Sequence, residues 1–346
     1  MTIRSQIIGI IGEGKMGTNL IHYLTEFGFM LHWVVSPEAD ISRIRRNFEK
    51  KVRRLAENDI IPAGSSDLLY QTTISSDIST LSDCDLVIEA ITEDEAQKKK
   101  VLSLTDGVLK PDSILVSNSS SINPSVLCPS KSRESRFAGL HFFYPVNIAN
   151  IVEIIKSPET SDITTEKLIA FLNVLGRKFI MLNEQESFIL NRIFLDVQNE
   201  AFRIVDRGQA SYAGIDRIVK KSLFPSGIFE FFDHVGLDTM LQSINNYTRD
   251  YPHSDYYRAL ISKLETLTSN GFLGRKSGRG FFDYTGNEPT VSRDQESPEQ
   301  DEEIRNHLAF TYKNAARRLI THSGLTIDEL NEALKEYFGT DKGPFE

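Results

Sequence analysis

Cysteine is scarce in this chain: only Cys84 and Cys128 occur in 346 residues, and neither sits in a CxxC pair or a Cys/His cluster of the sequence. No disulfide framework and no cysteine-based metal site is indicated, and a reducing compartment fits. A basic excess is also missing. The formal net charge is -9, whereas a surface that tracks the phosphates of nucleic acid or an anionic membrane needs an excess of Lys and Arg. Long hydrophobic runs are absent as well. No apolar stretch approaches the roughly 18 to 20 residues that span a bilayer, and the apolar start in MTIRSQIIGIIG is too short for a signal h-region. What remains is a composition 40% hydrophobic and 25% charged, ordinary for a soluble protein of two domains. A cytoplasmic protein with no nucleic-acid, membrane or metal partner is expected.

Hydrophobic periodicity divides the chain. Short apolar runs at Ile7 to Ile11, Met30 to Val35, Asp85 to Glu89 and Ser113 to Ser117 read as buried strands. Helical spacing fills the gaps, at Asn19 to Phe27, Ile41 to Glu57 and Ala96 to Leu109. Strands alternating with helices predict a parallel sheet covered on both faces. Further strands at Phe137 to Leu140, Val152 to Ile155 and Lys178 to Leu182, with a helix at Thr164 to Leu175, complete a dinucleotide-binding domain over residues 1–184. From about Glu186 the apolar residues fall only at helical spacing, so an all-helical substrate and dimerisation domain is expected over 185–284. An acidic, proline-containing linker is expected over 285–301. The residues beyond it resemble an earlier stretch. Asn199 to Glu230 and Lys313 to Glu346 each read as helix, turn, helix and then Gly-x-Phe-Glu, which predicts a partial second copy of the helical domain over 302–346. The fold class is therefore an α/β Rossmann-type N-terminal domain followed by helices with a partial C-terminal repeat.

The loop GEGKMG follows the first strand and opens a helix, which is the setting a GxGxxG cofactor loop needs. Gly12 permits the tight turn, Gly14 lets backbone amides approach a pyrophosphate, and Gly17 lets helix and strand pack closely, with Lys15 and Met16 between them. One element is missing. The second strand ends Val34, Val35, Ser36, with no acid for an adenine ribose, and Arg43, Arg45 and Arg46 follow. Those arginines suit either a 2′-phosphate or a solvated helix face, so NAD is expected with NADP left open.

His141 and Glu153 offer an acid/base pair. An imidazole exchanges protons near neutral pH, and a carboxylate partner would orient it and hold its charged form. Spacing alone does not bring the two together, and a lone histidine beside Phe142 and Phe143 is more often a packed, hydrogen-bonded core residue than a catalyst.

The motifs GEGKMG, DLVIEAITED, SNSSS, RFAGLHFFYPV, VEII, FILNR, FEFFDHVGLD and GRKSGRGFFDY occur in one order from about residue 7 to Tyr284. In that order they resemble the L-3-hydroxyacyl-CoA dehydrogenase family. The resemblance implies an active site of Ser120, His141, Glu153 and Asn191, and cofactor contacts from Glu93, Lys98 and Asn118. It further implies NAD(P)-dependent interconversion of a (3S)-3-hydroxyacyl thioester and its 3-ketoacyl form, with His141 as general acid/base. The thioester would be an acyl-CoA or an acyl-carrier-protein conjugate, and the basic stretch Arg43 to Arg54 would suit the phosphates of one or the acidic surface of the other. A homodimer is implied through the helical domain. The chain departs from the family pattern at Tyr144, where asparagine is usual, at Glu186-Ser187 in place of Pro-Gly, and at Glu13 inside the loop. Two rivals stand beside this reading. β-Hydroxyacid dehydrogenases share the design but use a lysine acid, which the His141/Glu153 pair disfavours, and a nucleotide-binding homologue with little turnover is disfavoured by retention of all four residue types.

Overall fold

The computed structural model describes residues 6–58, 60–61, 72–249, 254–286 and 297–346. The chain divides into two units, Met1–Ser187 and Phe188–Glu346. In the first, the strands are β1 (Ile7–Ile11), β2 (Met30–Val34), β3 (Thr72–Ser75), β4 (Leu86–Glu89), β5 (Ile114–Ser117), β6 (Phe137–Phe142), β7 (Ile151–Lys156) and β8 (Lys178–Asn183). They form one sheet in the order β3-β2-β1-β4-β5-β6-β7-β8. The first six are parallel and reverse order between β1 and β4, the switch point at which such sheets bind ligands beyond the carboxyl ends of their strands.

Alternation explains why these strands read as unbroken apolar runs. Leu86 and Ile88 of β4, with Ile114 and Val116 of β5, enter the core on one face. Val87 and Leu115, which lie between them, enter the core on the other. Both faces are covered by helices, α1 (Lys15–Thr25), α2 (Ile41–Glu57), α3 (Glu95–Asp106), the short α4 (Pro124–Leu127) and α5 (Asp162–Val174). Leu20, Leu24, Phe48 and Phe171 close the first face, and Leu102 and Leu127 close the second. The N-terminus of α2 is fixed by Asp40, whose carboxylate accepts the Arg43 N–H at 2.9 Å.

Two features differ from the sequence expectation. β3 has the sequence TTIS, with one aliphatic residue, so it gives no apolar run to detect. β7 pairs with β6 antiparallel, not parallel. The connection over 143–150 is shorter than the dozen or so residues a parallel crossover requires. β8 then lies parallel to β7, after the crossover through α5.

The second unit contains α6 (Ile189–Asp206), α7 (Tyr212–Ser222), α8 (Ile228–Val235), α9 (Leu237–Thr248), α10 (Arg258–Ser269), α11 (Pro298–Ser323) and α12 (Ile327–Phe338). The expected linker at 285–301 falls largely on residues outside those described. α6 is buried around most of its circumference, Ile193, Leu195, Val197, Ala201 and Ile204 included, so it is the central helix of this unit. α11 and α12 pack against it, and Phe194 meets the rings of Phe224, Phe231 and Phe338 edge-on at 5.0–5.4 Å.

The C-terminal repeat extends to individual hydrogen bonds. Ser211 caps α7 and Thr326 caps α12, each accepting the backbone N–H three residues on. Five residues after each cap stands Asp216 or Asn331. Asp216 accepts the Phe229 N–H at 2.9 Å, and Asn331 accepts the Phe345 N–H at 3.3 Å. Two residues before each phenylalanine, a β-carbon on Gly227 would come within 2.3 Å of the Asp216 carboxyl, and one on Gly343 within 2.3 Å of Asn331 Oδ1. Glycine is thus required twice for the same close approach.

Candidate active site

The GEGKMG loop leaves β1 beside the end of β2. Gly12 N–H donates to the Val34 carbonyl at 2.9 Å, and the Trp33 indole N–H donates back to the Gly12 carbonyl at 2.8 Å. Gly12 has φ +116, and a β-carbon there would lie 2.6 Å from the Ala90 carbonyl oxygen; one on Gly17 would lie 2.1 Å from the Gly12 carbonyl oxygen. Nothing approaches within 4 Å of the corresponding position on Gly14. The turn is therefore filled on the protein side and open at the N-terminus of α1, where unpaired N–H groups and the helix dipole favour a phosphate. These residues fit a dinucleotide.

His141 and Glu153 stand directly opposite one another in the antiparallel β6–β7 pair. Cross-strand register thus brings together what the sequence holds twelve residues apart. His141 Nδ1 lies 2.7 Å from Glu153 Oε2, with the residues 4% and 0% exposed, and the Phe143 ring packs 4.3 Å from the imidazole. A buried carboxylate is satisfied by a hydrogen-bond donor, the role that the Nδ1–H tautomer of His141 fills. Asn118, expected at the cofactor, spends its side-chain oxygen on the Phe142 N–H at 2.8 Å and so ties the end of β5 to β6.

The serine cluster after β5 surrounds Glu93. Oε1 of Glu93 accepts from the hydroxyls of Ser119 at 2.6 Å, Ser121 at 2.7 Å and Ser120 at 3.3 Å, and from the Ser120 N–H at 2.9 Å. The Ser120 hydroxyl makes the longest of the three hydroxyl contacts to Glu93. Burial by itself would raise the Glu93 carboxyl, but Lys98 and these hydrogen bonds outweigh it and hold the group below the ordinary carboxylate range. Lys98 is 1% exposed, with its ammonium 2.8 Å from Glu89 and 3.4 Å from Glu93. Burial would lower the Lys98 ammonium, but Glu89 and Glu93 prevail and raise it, so it stays charged. Glu89 also accepts from Ser117 and from the Ile91 N–H, at 2.5 and 2.7 Å. The structure therefore places Lys98 behind Glu93, as the fixed cation that seats two carboxylates.

Replacing Lys98 by methionine strands Glu89 at 0% exposure without a cation, and the expected stability loss is about 3–5 kcal/mol. Thermal melting checks it: the added change Glu89→Gln should recover much of the loss, and an unshifted melt would show that the pair is not what holds this corner.

Asn191 lies one turn into α6, after Phe188, which is the only non-glycine residue with positive φ among those described. Its amide is held at both ends. Nδ2 donates to the Tyr247 hydroxyl and Oδ1 accepts from the Tyr337 hydroxyl, both at 3.0 Å. Neither tyrosine stands out in the sequence, because a hydroxyl that reaches across two helices leaves no local pattern. Glu89 is different: an acid closing the apolar strand LVIE is a visible signal. Cys84 also acquires neighbours that spacing did not suggest, lying close to His32 and Asp83. Burial, with Asp83 and Asp85 alongside, pushes its thiol up to about 12.

Both units of the chain are similar to known proteins. Residues 7–185 match the family described as 3-hydroxyacyl-CoA dehydrogenase, NAD binding domain, and residues 188–284 match its C-terminal domain. A 3-hydroxybutyryl-CoA dehydrogenase of Bradyrhizobium diazoefficiens is 32% identical over 291 residues, 83% of this chain and 98% of that one. The mitochondrial hydroxyacyl-coenzyme A dehydrogenase of Rattus norvegicus is 32% identical over 286 residues, 80% of this chain and 90% of that one. The crystal structure of (S)-3-hydroxybutyryl-CoA dehydrogenase from Ralstonia eutropha superposes with a TM-score of 0.73 at 31% identity, over 82% of this chain and all 100% of its own. That of the 3-hydroxybutyryl-CoA dehydrogenase from Escherichia coli covers 98% of this chain and 90% of its own at a TM-score of 0.80; at 18% identity it bears on the fold alone, and extends it over the C-terminal repeat. With both of its domains matched in order and relatives at this identity over most of the chain, the protein belongs to the 3-hydroxyacyl-CoA dehydrogenase family.

Proposed function

We propose that the protein interconverts a (3S)-3-hydroxyacyl-CoA and the corresponding 3-ketoacyl-CoA. The buried His141–Glu153 pair, 2.7 Å apart across β6 and β7, carries this reading. A nicotinamide dinucleotide held by the loop of Gly12, Gly14, Lys15, Met16 and Gly17 supplies the hydride acceptor when bound. In oxidation, His141 takes the proton of the 3-hydroxyl on Nε2, while Glu153 accepts the Nδ1–H and compensates the positive charge that the ring acquires. Ser120 and Asn191 donate hydrogen bonds to substrate oxygens and so orient C3 and stabilise the developing charge. Glu93, seated by Lys98, sets the serine loop, and Asn118 sets the strand that bears His141.

The CoA thioester is preferred because relatives alike over most of this chain are named for it. One observation keeps the carrier-protein conjugate in the test: Arg43, Arg45, Arg46, Lys50, Arg53 and Arg54 of α2 are all exposed. Acetoacetyl-CoA and a carrier-linked 3-ketoacyl substrate, each with NADH and with NADPH, should be compared by loss of the reduced-nucleotide absorbance. Turnover of acetoacetyl-CoA is expected, and no consumption of either nucleotide with either substrate would sink the reading.

A further inference from the structure

The second strand lacks the acid that reads a ribose, yet a carboxylate stands at its end. Pairing of Gly12 with Val34 carries the glycine loop past the end of β2, and there Glu13 meets Ser36. The Ser36 hydroxyl donates to Glu13 Oε1 at 2.7 Å and the Ser36 N–H donates to Oε2 at 3.0 Å. Glu13 is also held from behind, since its carbonyl accepts the Thr18 hydroxyl at 3.0 Å. The carboxylate is thus fixed at both oxygens, beside the residue where an acid on β2 would stand, and it is only partly buried. A carboxylate offers about four acceptor positions, and Ser36 uses two, which leaves one on each oxygen for a vicinal diol.

We propose that Glu13 is the ribose-reading acid of this chain, supplied by the glycine loop in place of β2, and that it selects NAD over NADP. Its two oxygens accept the 2′- and 3′-hydroxyls of the adenine ribose. A 2′-phosphate removes one of those donors and brings a dianion against the carboxylate. Arg45 donates to the Ile74 carbonyl at 3.5 Å, and Asp40, whose carboxylate caps the backbone N–H of Arg43, adds a further acid after β2. The proposal rests on the nicotinamide dinucleotide binding proposed above.

Trp33 provides a readout independent of turnover. It is the only tryptophan, it is buried, and its indole is bonded to the first glycine of the loop, so its fluorescence reports on nucleotide bound there. Titrations with NADH and with NADPH should be made on the wild type, on Glu13→Gln, and on Glu13→Gly combined with Ser36→Asp. The wild type should bind NADH about ten- to a hundredfold more tightly than NADPH. Glu13→Gln should bring the two constants together, mainly by weakening NADH, and the double variant, with the acid moved to the strand, should restore the gap. Equal binding by the wild type, a preference for NADPH, or a ratio unchanged in Glu13→Gln overturns the proposal while leaving dinucleotide binding intact. Failure of both nucleotides to bind the wild type overturns the dinucleotide reading and the proposal with it.

Discussion

Replacing His141 by glutamine is expected to lower kcat by about a hundred- to ten-thousandfold, with KM changed far less. Glutamine is the informative choice because Glu153 is 0% exposed and loses its donor if the side chain is simply truncated. An alanine variant would therefore mix the loss of a proton acceptor with the destabilisation that follows from taking the histidine donor away from a buried carboxylate. Glutamine retains an N–H near Glu153 and has no site that exchanges a proton near neutral pH. Steady-state kinetics on the two variants, read beside their melting temperatures, separate the two effects. A glutamine variant with wild-type kcat would remove His141 from the chemistry.

The contrast between His141 and Asn191 shows where the sequence was readable. β6 and β7 announce themselves as apolar runs, yet the meeting of His141 with Glu153 depends on antiparallel register, which a short connection sets and periodicity does not reveal. The motif order supplied that pairing through resemblance, ahead of any geometry. Helical spacing predicted α2 over Ile41 to Glu57, and in the structure Asp40 caps that helix while Phe48, Val52 and Leu55 form its buried stripe. β3 was hidden by its own composition. Lys98 was picked out for the cofactor, but its burial between Glu89 and Glu93 is a tertiary fact, and no local pattern distinguishes a lysine that enters the core from one that faces solvent. Glu13 was visible as an odd acid in a phosphate loop and Ser36 as a missing one; only the hydrogen bonds between them turn two departures into one arrangement.

Removing residues 298–346 is expected to unfold the helical unit, although the C-terminal family match ends at residue 284. Ile304, Leu308, Tyr312, Leu330 and Leu334 are buried in the second unit. Each such side chain contributes roughly 1.5–3 kcal/mol by leaving water, against a net stability of about 5–15 kcal/mol for a typical domain. Charge adds to the loss. Arg318 pairs with the buried Asp196 of α6, and His307 Nε2 lies 3.0 Å from Glu200, so truncation also strips two acids of partners. Loss of helical signal and aggregation of a chain ending at Ser297 would be measured by circular dichroism and light scattering; a soluble product with an unchanged melt would show that the repeat is dispensable. Tyr337→Phe asks the finer question. The ring keeps its contacts with Phe194 and Phe338, while the hydroxyl that holds Asn191 Oδ1 is gone. The melt should stay close to wild type, and kcat should fall about two- to tenfold with little change in KM, the cost of one hydrogen bond that orients a donor needed in the transition state. A fall in melting temperature without a fall in kcat would leave Tyr337 a packing residue only.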